Sequence, residues 1–393
     1  MKLCTICRGV QSTIMDRRTF LKTASIATAL SLTGCARRVL PTQTLPTVSN
    51  LSSCNLQPVR VSADREIRTT VGLRPFRPSG FVVRSEKLGD KFIVHNYGHG
   101  GAGITLSWGT AKLAVDLGAQ GHNGPVAVLG CGAVGLATAR LLQDAGFHVT
   151  IYAKALPPET TSSVAGGLWL PVTVSDHDKR TPEFNTQFIA ASEFAYRHFQ
   201  IMLGPRFGVR WMRNYFLGNQ AWNEDSLIGL RGPLHSMLPE VRDLQTNEHP
   251  FGGFQYVRQF DSMLIEPPIY LTAMMDEFRL AGGEIVVREF PDTASLQQLR
   301  QALIFNCTGL GSKALFGDNE LTPIRGQLTF LLPQPEVDYA VLPEDLYMFS
   351  RTDGILLGGT HERDNWSLAP DDATKQRILS QHQKIFDTMR KCG

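Results

Sequence analysis

Val126-Ala127-Val128-Leu129-Gly130-Cys131-Gly132-Ala133-Val134-Gly135 is the stretch whose reading decides the fold. Four consecutive apolar residues predict a short buried strand. Residues 134–145, with Leu136, Ala139, Leu142 and Ala145 on one face, predict a helix. Val149-Thr150-Ile151-Tyr152 reads as the next parallel strand, so the three segments make a βαβ unit. A Gly-x-Gly-x-x-Gly turn is a weak signal alone, but between a strand and a helix it has the context of a dinucleotide site. Gly130 permits the tight turn. Gly132 lets backbone approach a pyrophosphate at the helix N-terminus, beside the amides of Ala133 and Val134, and Gly135 allows close helix packing.

Outward from this unit, the second strand runs into Ala153-Lys154-Ala155-Leu156-Pro157-Pro158. An NAD site needs an acid here to hold the ribose hydroxyls; none is present, and Lys154 stands in that neighbourhood. This disfavours a nicotinamide dehydrogenase and leaves FAD, with Lys154 or the Ala153 backbone facing the adenosine. Glu159-Thr160-Thr161-Ser162-Ser163 is a hydroxyl run, which alone reads as a solvated loop, and Val164-Ala165-Gly166-Gly167-Leu168-Trp169-Leu170-Pro171 follows it. Two blocks lie upstream of the glycine turn. Val71-Gly72-Leu73-Arg74-Pro75-Phe76-Arg77-Pro78 is stiffened by prolines and can hold a guanidinium in fixed orientation. His95-Asn96-Tyr97-Gly98-His99-Gly100-Gly101-Ala102-Gly103-Ile104-Thr105 is glycine-dense, so its backbone can lie flat against a planar ring with amides free to donate.

Together these blocks resemble the D-amino-acid oxidase family, over nearly all of the chain from about Pro58 onward. Members of that family ordinarily begin with the glycine turn and close with the arginine–proline and histidine–glycine blocks. Here the closing blocks come first, as in a circular permutation of the D-amino-acid oxidase fold. The resemblance implies an α/β fold: an FAD-binding, Rossmann-like parallel sheet with a second, mainly antiparallel substrate domain. It implies that FAD is lined by Gly130, Gly132, Ala133, Val134, Gly135, Ala153, Lys154, Thr160, Thr161, Ser162, Gly167, Leu168, Thr308 and Gly309. Gly100, Gly101, Gly103, Ile104 and Thr105 are placed at the isoalloxazine. By the same resemblance Arg74 takes the substrate carboxylate through a two-pronged contact, Tyr347 joins it, and the Gly101 carbonyl faces the amine. The lid tyrosine of vertebrate members falls at Pro343, so the lid is absent or built differently. No catalytic base is implied, because hydride transfer rests on orientation and the electron chemistry belongs to the cofactor.

The implied reaction is FAD-dependent oxidative deamination of D-amino acids to 2-oxo acids, ammonia and hydrogen peroxide, with oxygen as acceptor. Oxidation of glycine, sarcosine or D-aspartate is the alternative on the same fold; the last wants a second arginine that the sequence does not identify. A non-catalytic, flavin-binding lipoprotein is the alternative from another class. The permuted order requires the ancestral ends to meet at a surface, because the connector 118–125, about eight residues, spans at most roughly 26–29 Å. The helix predicted at 372–391 is the one that ordinarily precedes the arginine block.

Composition sets the outer bounds. With 393 residues, 42% hydrophobic and 19% charged, the chain can bury a large core in one or two domains. A net charge of +3 argues for neither nucleic acid nor a basic membrane face, and no run of 18 apolar residues suggests a membrane span. Asp16-Arg17-Arg18-Thr19-Phe20-Leu21-Lys22, a mildly apolar stretch, and Leu32-Thr33-Gly34-Cys35 read as a twin-arginine export signal closing on a lipobox. A fortuitous amphipathic leader is the plainer alternative, and Met15 is an alternative start. The export reading predicts passage of a folded, cofactor-loaded enzyme through the twin-arginine machinery. It also predicts a periplasmic or cell-envelope location and a lipid anchor on Cys35 as the sole membrane attachment.

The expected organisation is a leader over 1–35, a Pro/Ser/Thr-rich tether over 36–60, a displaced flavin/substrate segment over 61–118, and interleaved FAD-binding and substrate domains over 119–393. Further strands are predicted at 81–83, 91–94, 254–257, 284–287, 302–306 and 355–359, and helices at 182–204 and 267–281. Seven cysteines in this spacing make no disulfide framework, and Cys4-x-x-Cys7 has no second pair. Cys131 and Cys307 read as buried thiols. His95 and His99 lack partners at ligand spacing and are assigned to structural hydrogen bonds, with no metal site; Arg77 and Arg84 are assigned to salt bridges or solvent. The sequence does not disclose an oligomeric state.

Overall fold

The computed structural model describes residues 53–226 and 228–390. The leader with its twin arginines, Cys4, Cys7, Cys35 and most of the tether lie outside the described residues. In chain order the elements begin with β1 (Glu66–Phe76), β2 (Val82–Leu88), β3 (Lys91–Tyr97), α1 (Gly103–Gly118), β4 (Val126–Leu129), α2 (Ala133–Asp144) and β5 (Val149–Ala153). Next come α3 (Pro182–Ile201), β6 (Val209–Gly218), β7 (Arg242–Leu244), β8 (Tyr256–Ile265), α4 (Pro267–Leu280), β9 (Glu284–Val287), β10 (Leu303–Asn306) and α5 (Gly311–Phe316). The series ends with β11 (Thr322–Leu331), β12 (Tyr339–Pro343), β13 (Tyr347–Arg351), β14 (Gly354–Gly358), β15 (Glu362–Arg363) and α6 (Asp372–Asp387).

Two sheets carry the site. The first runs β2-β3-β10-β4-β5-β9, parallel throughout except for the β2–β3 hairpin. Its central strands are short and fully buried, as β4 and β10 show, because helices or loops cover both faces. Leu106, Ala111 and Ala114 of α1 and Leu136, Ala137 and Ala139 of α2 pack on one face. Leu296, Leu299 and Leu315 pack on the other. The second sheet runs β1-β11-β14-β13-β12-β6-β8-β7, with β15 on β11, and only its β12–β6 pair is parallel. One of its faces lies on Ile378, Leu379, Ile385 and Phe386 of α6. The other face, with Leu328, Phe330, Phe349 and Leu356, turns toward Leu168 and Leu170.

Local chemistry sets the helix starts. Thr181 accepts the Phe184 amide at 3.1 Å with Pro182 opening α3, and Asp371 accepts the Thr374 amide at 2.7 Å at α6. Each cap contributes about 1 kcal/mol. The βαβ unit and strands β2, β3, β8, β9, β10 and β14 overlap the ranges that periodicity predicts, and the two sheets are those the resemblance implies. The stiff arginine–proline segment supplies residues 71–76 of β1, where Pro75 is tolerated because β1 is an edge strand. Composition extends the tether to Arg60, but the chain docks earlier. Val59 and Val61 are buried in the α6-side core, where they cover apolar surface, and the Tyr339 hydroxyl donates to the Gln57 carbonyl at 2.7 Å. Cys131 and Cys307 are free, with burial pushing both thiols up to about 12. Cys54 is disulfide-bonded, a pairing that spacing along the sequence does not reveal. No helix among the described residues is long and apolar enough to cross a membrane.

Candidate active site

The glycine turn caps β4 as the βαβ reading requires. Gly130 sits at φ +104°, a left-handed geometry, and a side chain there would meet the Cys307 carbonyl at 2.5 Å. Its amide donates to the Tyr152 carbonyl at 2.7 Å, which fixes the turn to β5. Gly132 precedes α2 without offering a side-chain cap. The Ala133 amide instead donates to Ser162 Oγ at 3.0 Å, so the hydroxyl run folds back onto the positive end of the helix. Thr160 Oγ1 lies 3.0 Å from Ser163 Oγ, and Thr161–Val164 forms one tight helical turn. Lys154 follows β5 and is exposed, 3.6 Å from the Glu289 carboxylate, while the Ala153 carbonyl accepts the Arg288 amide at 3.0 Å.

The helix α1 also starts without a side-chain cap from Ala102, and nothing lies within 4 Å of where a Gly103 side chain would stand. Gly100 is left-handed at φ +56°, the Gly101 amide donates to the Thr173 carbonyl at 3.0 Å, and Thr105 Oγ1 donates to the Leu168 carbonyl at 3.4 Å. Thr308 Oγ1 donates to Asn306 Oδ1 at 2.8 Å, and Gly309 packs on Pro75. A glycine turn that backbone would fill, a hydroxyl-faced helix N-terminus and a second helix start over open space fit the pyrophosphate and planar ring of FAD.

The arginine block supplies the other end. Arg74 Nη2 donates to the Tyr347 hydroxyl at 3.2 Å, and Nη1 to the Thr360 carbonyl at 3.2 Å. These side chains come from strands far apart in sequence and share one face, since Gly72 pairs with Gly326 and Tyr347 with Gly358. A side chain at Gly326 would overlap the Arg74 guanidinium, and one at Gly358 the Tyr347 ring, so glycines form the floor beneath the pair. Phe349 stacks on Tyr347 with ring centroids 5.0 Å apart. Gly72 abuts Val164 and Gly166 abuts Phe349, so β1 joins the hydroxyl run to the arginine–tyrosine pair. The turn from β12 to β13 is tight, with the Leu346 amide donating to the Pro343 carbonyl at 2.7 Å, and leaves no lid segment between the strands.

The remaining expectations resolve simply. Arg77 binds Asp318 at 2.8 Å and Glu320 at 2.6 Å, and Arg84 binds Glu86 at 2.9 Å. Buried His95 lies 3.0 Å from the Asn306 amide, and buried His99 lies 2.9 Å from Thr110 Oγ1. Gly101 reaches the pair only indirectly, through the bridge between Phe76 and His99. Sequence reasoning missed Gly326, Gly358, Thr360 and His361. Glycines within strands, Gly326 in β11 and Gly358 ending β14, were the available signal, since they mark close approach. Partial burial and then the Arg74 charge lower His361 to about 4; the residue remains well exposed, so the charge is the firmer cause.

Residues 125–392 match the family described as DAO, FAD dependent oxidoreductase. A D-amino-acid oxidase of Rubrobacter xylanophilus is 30% identical over 280 residues, covering 67% of this chain and 77% of that protein. A D-aspartate oxidase of Homo sapiens is 27% identical over 271 residues, covering 65% of this chain and 74% of that protein. The glycine oxidase structure from Geobacillus kaustophilus superposes with a TM-score of 0.52 at 15% identity, over 68% of this chain and 80% of its own, a likeness of fold. With a dinucleotide turn in place and two thirds of its length matched, the chain belongs to the DAO family of FAD-dependent oxidoreductases.

Proposed function

We propose that this protein deaminates D-amino acids oxidatively: substrate, oxygen and water give a 2-oxo acid, ammonia and hydrogen peroxide. The Arg74–Tyr347 pair on its glycine floor is the observation that carries this reading. A guanidinium and a phenol aimed at one point hold a carboxylate with directed, charge-assisted hydrogen bonds. The Gly101 carbonyl accepts from the amine, and fixing both groups determines which face of the α-carbon is presented. FAD, when bound, supplies the two-electron acceptor. The arginines on adjoining strands are committed elsewhere: Arg325 to Glu362 at 2.7 Å, Arg351 to Asp353 at 2.8 Å and Arg363 to Asp176 at 2.6 Å. That favours substrates with uncharged side chains over D-aspartate.

The displaced blocks are a circular permutation in this reading. The family match begins at residue 125, yet β1 upstream of it pairs with β11, and β3 with β10. Export through the twin-arginine route and a lipid on Cys35 complete the proposal. A visible spectrum and a peroxide assay across D- and L-amino acids test the activity. Bleaching by L- but not D-substrates overturns the stereochemistry, and a yellow protein giving no peroxide supports a binding role instead. Cell fractionation with labelled fatty acid, comparing the parent with Cys35→Ala, tests the anchor.

A further inference from the structure

Cys54 is disulfide-bonded while Cys131 and Cys307 are free, so its partner is Cys4, Cys7, Cys35 or Cys392. The surroundings of Cys54 select among these. Its Sγ lies 3.4 Å from the Asn247 carbonyl. The same loop holds the segment after α6: the Arg390 amide donates to the Pro250 carbonyl at 3.0 Å, and Thr388 Oγ1 to the Gly252 carbonyl at 3.4 Å. The Tyr339 hydroxyl ties the two segments a second time. It donates to the Gln57 carbonyl at 2.7 Å and lies 3.9 Å from Met389 Sδ. Leu56 and Met389 pack against one core. Gln57 stands three residues after Cys54 and Met389 three before Cys392, so each cysteine is a short tether from the contact. A disulfide needs α-carbons within about 7 Å, and Cys392 stands only two residues beyond Arg390.

We propose that Cys54 and Cys392 form a disulfide that fastens the segment before β1 to the segment after α6. Two thiols lose two protons and two electrons to a disulfide donor, which leaves as two thiols. Such bonds persist in oxidising compartments and are rare in reducing ones, so this one suits an exported enzyme. On the permuted reading the bond also spans the place where relatives in the ordinary order have continuous chain. The bond itself does not depend on that reading or on the catalytic proposal.

The test is peptide mapping of the full chain, equilibrated with oxidised glutathione, blocked with N-ethylmaleimide and digested without reduction. The expected result is one linked pair of peptides carrying Cys54 and Cys392, separated by reductant, with Cys131 and Cys307 alkylated only after unfolding. Cys54 linked to Cys4, Cys7 or Cys35, or recovered alkylated, overturns the assignment. As a second measurement, Cys54→Ser, Cys392→Ser and the double variant should each lower Tm by the same several degrees. Additive losses, or unchanged midpoints, overturn the link.

Discussion

Arg74 has five N–H donors, and one from each Nη is held by protein, by the Thr360 carbonyl and the Tyr347 hydroxyl. The rest remain for a carboxylate, so truncation removes binding without touching the FAD region. Such a loss costs about 2–5 kcal/mol. Arg74→Ala should therefore raise KM about 30-fold or more while the flavin spectrum stays that of the parent, read by steady-state kinetics and absorbance. Lysine should not rescue it, because a point charge lacks the planar fork. Gly326→Ala tests the floor. Its new methyl would displace the guanidinium, so KM for carboxylate substrates should rise, again with the flavin retained. An unchanged KM in either variant removes the pair from substrate binding.

Helix ends and buried histidines act at the scale of elements. Ser162 is the hydroxyl facing the start of α2, so Ser162→Ala should weaken FAD binding about tenfold, measured by titrating apoprotein with the cofactor. Burial lowers His99 to about 3 and His198 and His382 to about 4. His198 stacks on Trp108 where α3 crosses α1, and His382 of α6 reaches the Tyr347 carbonyl at 3.1 Å. All three are held neutral in the fold, whereas an unfolded histidine titrates near pH 6.5. As pH falls through that value the unfolded chain binds protons that the folded one refuses, so stability is lost from about pH 6.5 down to about pH 4. Tm should drop across this window, and His382→Gln should make the drop shallower. A parallel profile in the variant would remove His382 from the linkage.

At the scale of the whole molecule, the order of the blocks makes one prediction. If only the cut has moved, opening the connector 118–125 and joining the segment after α6 to Pro58 through a short linker should give the same fold. The recut protein should bind FAD and keep the parent's circular dichroism; loss of both would show that the present order is itself required. The site explains why the order is tolerable. Pro75 rests on Gly309 and Gly72 on Val164, contacts that depend on where β1 lies in the sheet rather than when it is made.

The βαβ unit, the glycine turn and the arginine block were legible in the sequence because each is local. A strand followed by three spaced glycines and an amphipathic helix needs no distant partner to be recognised. The length of β1, the glycine floor and the disulfide on Cys54 were not legible. Gly326 acquires its role only when β11 lies beside β1, and Cys54 is bonded beyond the reach of any local spacing. Sequence by itself determined the kind of cofactor. Tertiary structure alone decided that Gly326 and Gly358 floor the Arg74–Tyr347 pair, since strand pairing between remote segments is set by burial of the whole sheet.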